Sequence, residues 1–147
     1  MADLLRSANA EWNGDLRGGK GRVSTQSGAV SDVAYSFTTR FENTPGSNPE
    51  ELIAAAHAGC FSMAFANILA KAGHNPESIK TTATVVMSPK EGGGFRVSRV
   101  RLETTGSVPG IDDAEFQKYA AQAKEGCPIS VLLAPGLDSI ELDAPLA

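Results

Sequence analysis

Residues 52–70 carry no formal charge, and no other stretch constrains the chain so tightly. A helix start stands just before them. Asn48 can cap, Pro49 suits the first helical position, and Glu51 lies three residues after the cap. Gly73, with Pro76 beyond it, supplies the stop. The spacing predicts one helix from about Pro49 to about Ala72. Leu52, Ile53, Phe61, Met63, Phe65, Ile68 and Leu69, with many alanines, place apolar side chains all round it. His57, Gly59, Ser62 and Asn67, among those alanines, make its transfer into lipid poor, so a buried core helix is expected rather than a membrane span. A helix apolar on every side is buried on every side. In a chain of 147 residues, that implies cover from a partner chain as well as from its own sheet.

The flanking sequence reads as sheet and shorter helices. Trp12 to Arg40 is expected to be β structure, with a turn at Gln26-Ser27-Gly28. Val33 to Arg40 alternates like a half-buried strand and is broken by Thr44-Pro45-Gly46-Ser47. Thr81 to Met87 and Phe95 to about Val108 read as strands joined through Gly92-Gly93-Gly94, with Val97 and Arg99 alternating with solvated neighbours. Asp112 or Asp113 should cap a helix running to about Lys124 and ended by Gly126. Pro128 can open a short helix to about Leu133, and Leu137 to Leu142 reads as a closing strand. The expected class is α+β, one domain over residues 1–147, with helices packed on mostly antiparallel sheet.

Composition narrows the partners. A net charge of -4 and a pI of about 5.1, with no basic run, argue against nucleic acid. Met1 to Ser7 has no basic stretch leading into an apolar segment, so no secretory signal is expected. The cytoplasm, where thiols stay reduced, is the expected compartment. Two cysteines there are catalytic or inert rather than structural. Two Cys and two His lack metal-finger spacing, so no metal is expected. The stretches Arg17-Gly18-Gly19-Lys20-Gly21 and Gly92-Gly93-Gly94 match neither a phosphate loop nor a dinucleotide fingerprint. No cofactor is expected.

The two cysteines differ in local chemistry. Cys60 lies well inside the long helix, beyond the first turn where the helix dipole acts. Apolar surroundings raise a thiol pKa, so composition alone favours an inert, packed Cys60 unless the fold brings it a cation. Cys127 stands just before the helix start at Pro128, where thiol pKa falls; a small cap residue in a turn is the equal alternative. His57 and Cys60, at i and i+3, share one helix surface. A Cys–His nucleophile is conceivable there, and a packed core histidine is the simpler account.

Five segments, in order, resemble the OsmC (osmotically inducible protein C) branch of the OsmC and organic-hydroperoxide-resistance superfamily. They are Gly19 to Thr25 (GKGRVST), Tyr35 to Glu42 (YSFTTRFE), Asn48 to Met63 (NPEELIAAAHAGCFSM), Val108 to Asp112 (VPGID) and Ala123 to Ser130 (AKEGCPIS). Their combination is specific, although no single one is. The resemblance implies antiparallel sheets wrapped around a long buried central helix, an intertwined homodimer with active sites at the subunit interface, and cysteine-based peroxidase activity. It implies Cys60 as the peroxidatic cysteine, Cys127 as the resolving one, Glu50 as the active-site Glu and Arg40, at the end of the strand before the long helix, as the active-site Arg. Arg17 or Arg22 is the weaker candidate for the Arg. Gly59 stands where the family usually has Ala, and Ala134-Pro135-Gly136-Leu137 departs from the usual final strand.

The chemistry expected of that set is coherent. Arg40 would favour the thiolate of Cys60 and stabilise the leaving alkoxide, with Glu50 orienting its guanidinium. The Cys60 sulfenic acid would condense with Cys127, and a lipoyl-type or thioredoxin-type dithiol would reduce the disulfide. Glu50 and Cys60 lie ten residues apart on one expected helix, about 15 Å along its axis. Glu50 would therefore serve the Cys60 of the other subunit, or the helix would be broken. The competing readings are a non-enzymatic redox sensor or lipid-carrying module, and a Cys–His hydrolase using His57.

Overall fold

The computed structural model describes all 147 residues. They form two compact units, Met1–Leu52 and Ile53–Ala147, each with a three-stranded sheet.

The first unit is antiparallel throughout, in the order β1 (Ala8–Asn13), β2 (Lys20–Thr25), β3 (Val33–Ser36). Trp12, Gly21 and Tyr35 stand opposite one another across the three strands. The two rings lie 5.4 Å apart. A Cβ on Gly21 would come within 2.5 Å of the Tyr35 ring and 2.7 Å of Trp12, so only glycine lets both rings close over the middle strand. The expected turn at Gln26-Ser27-Gly28 is present, with Gly28 at φ +76°.

The expected strand from Val33 to Arg40 stops at Ser36. Phe37–Phe41 is instead a one-turn helix, α1. A capping box causes the switch. Ser36 Oγ accepts from the Thr39 amide, and Thr39 Oγ1 accepts from the Ser36 amide. The alternating apolar pattern was a true signal for Val33–Ser36, but Ser36 and Thr39 satisfy each other's backbone and outcompete strand pairing. Arg40 consequently lies on a helix rather than at a strand end.

Helix α2 (Pro49–Lys71) is unbroken. The Glu51 amide donates to Asn48 Oδ1 at 2.8 Å, as the start signal predicts. At the other end Gly73, at φ +90°, closes a Schellman motif: its amide donates to Ala70 O and that of His74 to Leu69 O. By length and composition α2 could cross a membrane. Its stripe of His57, Phe61, Phe65 and Leu69, spaced by four, is nevertheless fully buried in the core of the second unit. The burial is one-sided, with Met63 76% exposed; the all-round cover expected for this helix is not supplied within the chain.

In the second unit β4 (Ser78–Pro89) and β5 (Phe95–Ser107) pair antiparallel, and β6 (Ser139–Asp143) adds to β5 in parallel. With three antiparallel pairings and this one parallel pairing, the sheets are mostly antiparallel, as expected. Two helices, α3 (Asp113–Gly126) and α4 (Pro128–Leu133), lie between β5 and β6 in sequence, and a helical crossover permits a parallel return. The buried side of β5 is Ser98, Val100, Leu102, Thr104 and Gly106, with Val97 and Arg99 only half-buried. This phase keeps Val100 and Leu102 in the core, and a bulge opposite Val86/Met87 accommodates Ser98, whose hydroxyl pairs with Ser88 at 2.7 Å. Asp112 caps α3 through the Glu115 amide. Phe65 stacks against Phe61 and against Phe116 of α3, with ring centroids 5.8 and 4.8 Å away. Burying one such ring contributes about 2–3 kcal/mol. A polar chain, Ser62 to Thr81 to Thr104, links α2 to β4 and β5 at 2.8 and 2.9 Å.

Candidate active site

Cys127 is the hinge between two helices. It closes α3, after Gly126, and opens α4, before Pro128. Proline disfavours the helical region for the residue before it, and Cys127 is extended at φ −61°, ψ 124°. The chain turns there with the Cys127 side chain fully buried. Its thiol points at Cys60 on α2, with Sγ–Sγ 3.1 Å, and both are free thiols. A disulfide has S–S of about 2.05 Å, so closing the bond requires a movement of about 1 Å.

Burial pushes the Cys60 thiol up from its ordinary value, and neighbouring Cys127 pushes it further. The Ile129 amide, at the start of α4, hydrogen-bonds Cys60 and favours the thiolate. His57 is buried, with Nε2 2.7 Å from Ser130 Oγ and Nδ1 without a partner. Burial lowers its pKa. The ring is therefore a neutral core histidine bonded to Ser130, which supports the simpler of its two sequence readings. A Cβ at Gly59 would meet nothing within 4 Å, so glycine in place of alanine leaves the packing unchanged.

Arg40 and Glu50 meet in the first unit. Arg40 Nε lies 3.2 Å from both carboxylate oxygens, and Nη2 lies 2.8 Å from Oε1. This forked geometry orients a guanidinium far better than a single contact. The Glu50 side chain is only 13% exposed. Arg40 also stacks over Phe41 at 5.0 Å and forms part of an open cavity of about 460 Å³ with Trp12, Leu16, Tyr35, Phe37 and Phe41. The two weaker arginine candidates are held otherwise. Arg22 pairs with Asp32 at 3.0 Å, and Arg17 lies over Phe37 at 4.9 Å.

The structure thus assembles the four expected residues as two pairs, Cys60 with Cys127 and Arg40 with Glu50. Sequence reasoning overlooked Ser130 and the Ile129 amide. Ser130 stands 73 positions from His57, and no local pattern links them.

Two free thiols thus lie in contact on an α+β framework. The chain belongs to the OsmC-like protein family, whose profile matches residues 41–140, and within it to the OsmC branch. It is 48% identical to peroxiredoxin OsmC of Escherichia coli over 130 residues, covering 88% of this chain and 90% of that protein. It is 34% identical to an organic hydroperoxide resistance protein of Xanthomonas axonopodis pv. citri over 86 residues, 58% of each chain. Among solved structures, an organic hydroperoxide resistance protein OsmC from Legionella pneumophila superposes with a TM-score of 0.74 at 25% identity, covering 97% of this chain and 99% of that one.

Proposed function

We propose that this chain is a thiol peroxidase that reduces organic hydroperoxides with Cys60 and Cys127. The peroxidase class is that of its relatives named peroxiredoxin OsmC. The observation that carries the reading is the 3.1 Å contact between two free thiols on separate helices. The Cys60 thiolate attacks the distal oxygen of ROOH. The O–O bond breaks, Cys60 becomes a sulfenic acid, and the leaving alkoxide takes a proton to become ROH. Cys127 then attacks the sulfenic sulfur. The S–O bond breaks, hydroxide leaves and is protonated to water, and a disulfide forms. A dithiol, of lipoyl or thioredoxin type, reduces it by exchange.

The thiolate needs a cation, because burial raises the Cys60 pKa. Arg40, oriented by Glu50, is assigned that role and stabilises the alkoxide. Its aromatic cavity suits bulky organic groups more than hydrogen peroxide. Since α2 is unbroken, Glu50 and Cys60 of one chain stand about 15 Å apart along it, so the Glu50 of one subunit serves the Cys60 of another. A homodimer that covers the exposed apolar face of α2 fits this arrangement, with residues 1–147 acting as one domain in the cytoplasm. Heterodimers of Glu50→Ala and Cys60→Ala chains retain one intact site in this arrangement; a wholly inactive heterodimer overturns it.

The reaction is tested by steady-state consumption of cumene or fatty-acid hydroperoxide with excess dithiol. Turnover lost in Cys60→Ser, with recycling lost in Cys127→Ser, supports the assignment. A wild type that oxidises once and never cycles with dithiol, lipoyl or thioredoxin donors favours a sensor on the same fold.

A further inference from the structure

Helices α2 and α4 carry or flank the two thiols, and one buried side-chain hydrogen bond ties them together. His57 Nε2 and Ser130 Oγ lie 2.7 Å apart, and both side chains are buried. Their placement mirrors the thiols. His57 precedes Cys60 by three residues on α2, and Ser130 follows Cys127 by three on α4. Residues three apart on a helix lie on neighbouring parts of one surface, so the bond stands about one turn from each sulfur-bearing residue.

The chemistry of the bond is constrained. Nδ1 of His57 is buried without a partner. A charged ring, or a neutral ring protonated at Nδ1, would leave an unpaired N–H there, whereas a neutral ring protonated at Nε2 leaves only a bare acceptor. Nε2–H therefore donates to Ser130 Oγ. Helix α4 has only six residues, too few to hold itself in place without tertiary contacts. Ile129 and Leu133 pack against the core, and Ser130 supplies a directional bond between them on the helix. The residue before Ser130 is Ile129, whose amide faces Cys60.

We propose that His57 and Ser130 are positioning residues for the dithiol: their buried hydrogen bond holds α4 against α2 at the spacing that lets Cys127 close on Cys60. Only the peroxide arm of its test rests on the peroxidase reading. The strut acts by raising the effective concentration of one thiol at the other, and this governs disulfide formation with any oxidant. With oxidised dithiothreitol, the two thiols lose two protons and two electrons to form the Cys60–Cys127 bond, while the reagent's S–S bond is reduced to two thiols.

The experiment compares wild type, Ser130→Ala, His57→Leu and His57→Gln, all checked for folding by circular dichroism. Ser130→Ala removes a single oxygen and is the primary variant. His57→Gln keeps an N–H donor near the Nε2 position. In dithiothreitol redox buffers, Ser130→Ala and His57→Leu should lose about tenfold in the equilibrium constant for the disulfide, about 30 mV towards a more oxidising couple. His57→Gln should recover most of that loss. With excess cumene hydroperoxide, the first two variants should yield more Cys60 sulfinic acid and less disulfide than wild type. A folded Ser130→Ala with wild-type potential and product ratio overturns the proposal, as does a His57→Gln no better than His57→Leu. A wild type inert to peroxide, with the buffer series still separating the variants, leaves the strut standing and sinks the peroxidase reading instead.

Discussion

Cys127 Sγ lies 3.1 Å from Cys60 Sγ across 67 positions of sequence, and both are free thiols. Such a contact is pre-set for disulfide formation, because only about 1 Å separates it from bonding distance. One equivalent of organic hydroperoxide should convert wild type to an intrachain disulfide, lighter by two hydrogens in intact mass. In Cys127→Ser the same treatment should stop at the Cys60 sulfenic acid, and excess peroxide should drive it to the sulfinic acid. A Cys127→Ser protein that resists over-oxidation would contradict the pairing.

Cys60 is held up by burial and by Cys127, so its thiolate fraction at neutral pH depends on a cation. Arg40→Met should lower the peroxide reaction rate at pH 7 by about tenfold or more. The loss should shrink as pH rises, because the thiol ionises unaided above its raised pKa. The pH profile of single-turnover oxidation of Cys60 checks this. Equal loss at every pH would assign Arg40 to alkoxide stabilisation alone.

Burial lowers the His57 pKa below its ordinary 6.5. The unfolded chain therefore binds a proton that the folded chain refuses. The stability contributed by neutral His57 is complete above pH 6.5 and is lost as pH falls from there toward the folded value. Urea unfolding between pH 7.5 and 5 should show wild type losing stability on acidification more steeply than His57→Gln. Parallel curves would mean that the ring protonates in the folded state without penalty.

Phe65 is fully buried between Phe61 and Phe116. Phe65→Ala removes the ring that joins α2 to α3 and should destabilise the reduced protein by about 3–5 kcal/mol. The urea midpoint, compared at unchanged m-value, measures it.

Much of this protein was determined by local sequence. Asn48, Pro49 and Gly73 define the ends of α2, because capping and proline geometry depend only on neighbours. Gly126, Cys127 and Pro128 define the α3–α4 hinge for the same reason. The paired motifs around Cys60 and Cys127 carried the family. Local pattern misread Val33 to Arg40, where the alternation of a strand ran on into a capped helical turn, and it misjudged the buried phase of β5. Only the tertiary structure decided that Cys127 touches Cys60, that Glu50 takes the fork of Arg40, and that His57 bonds Ser130 rather than standing free. Those pairings join residues 10 to 73 positions apart. Such contacts form only when tertiary folding brings separate elements together, and no short window of sequence encodes that.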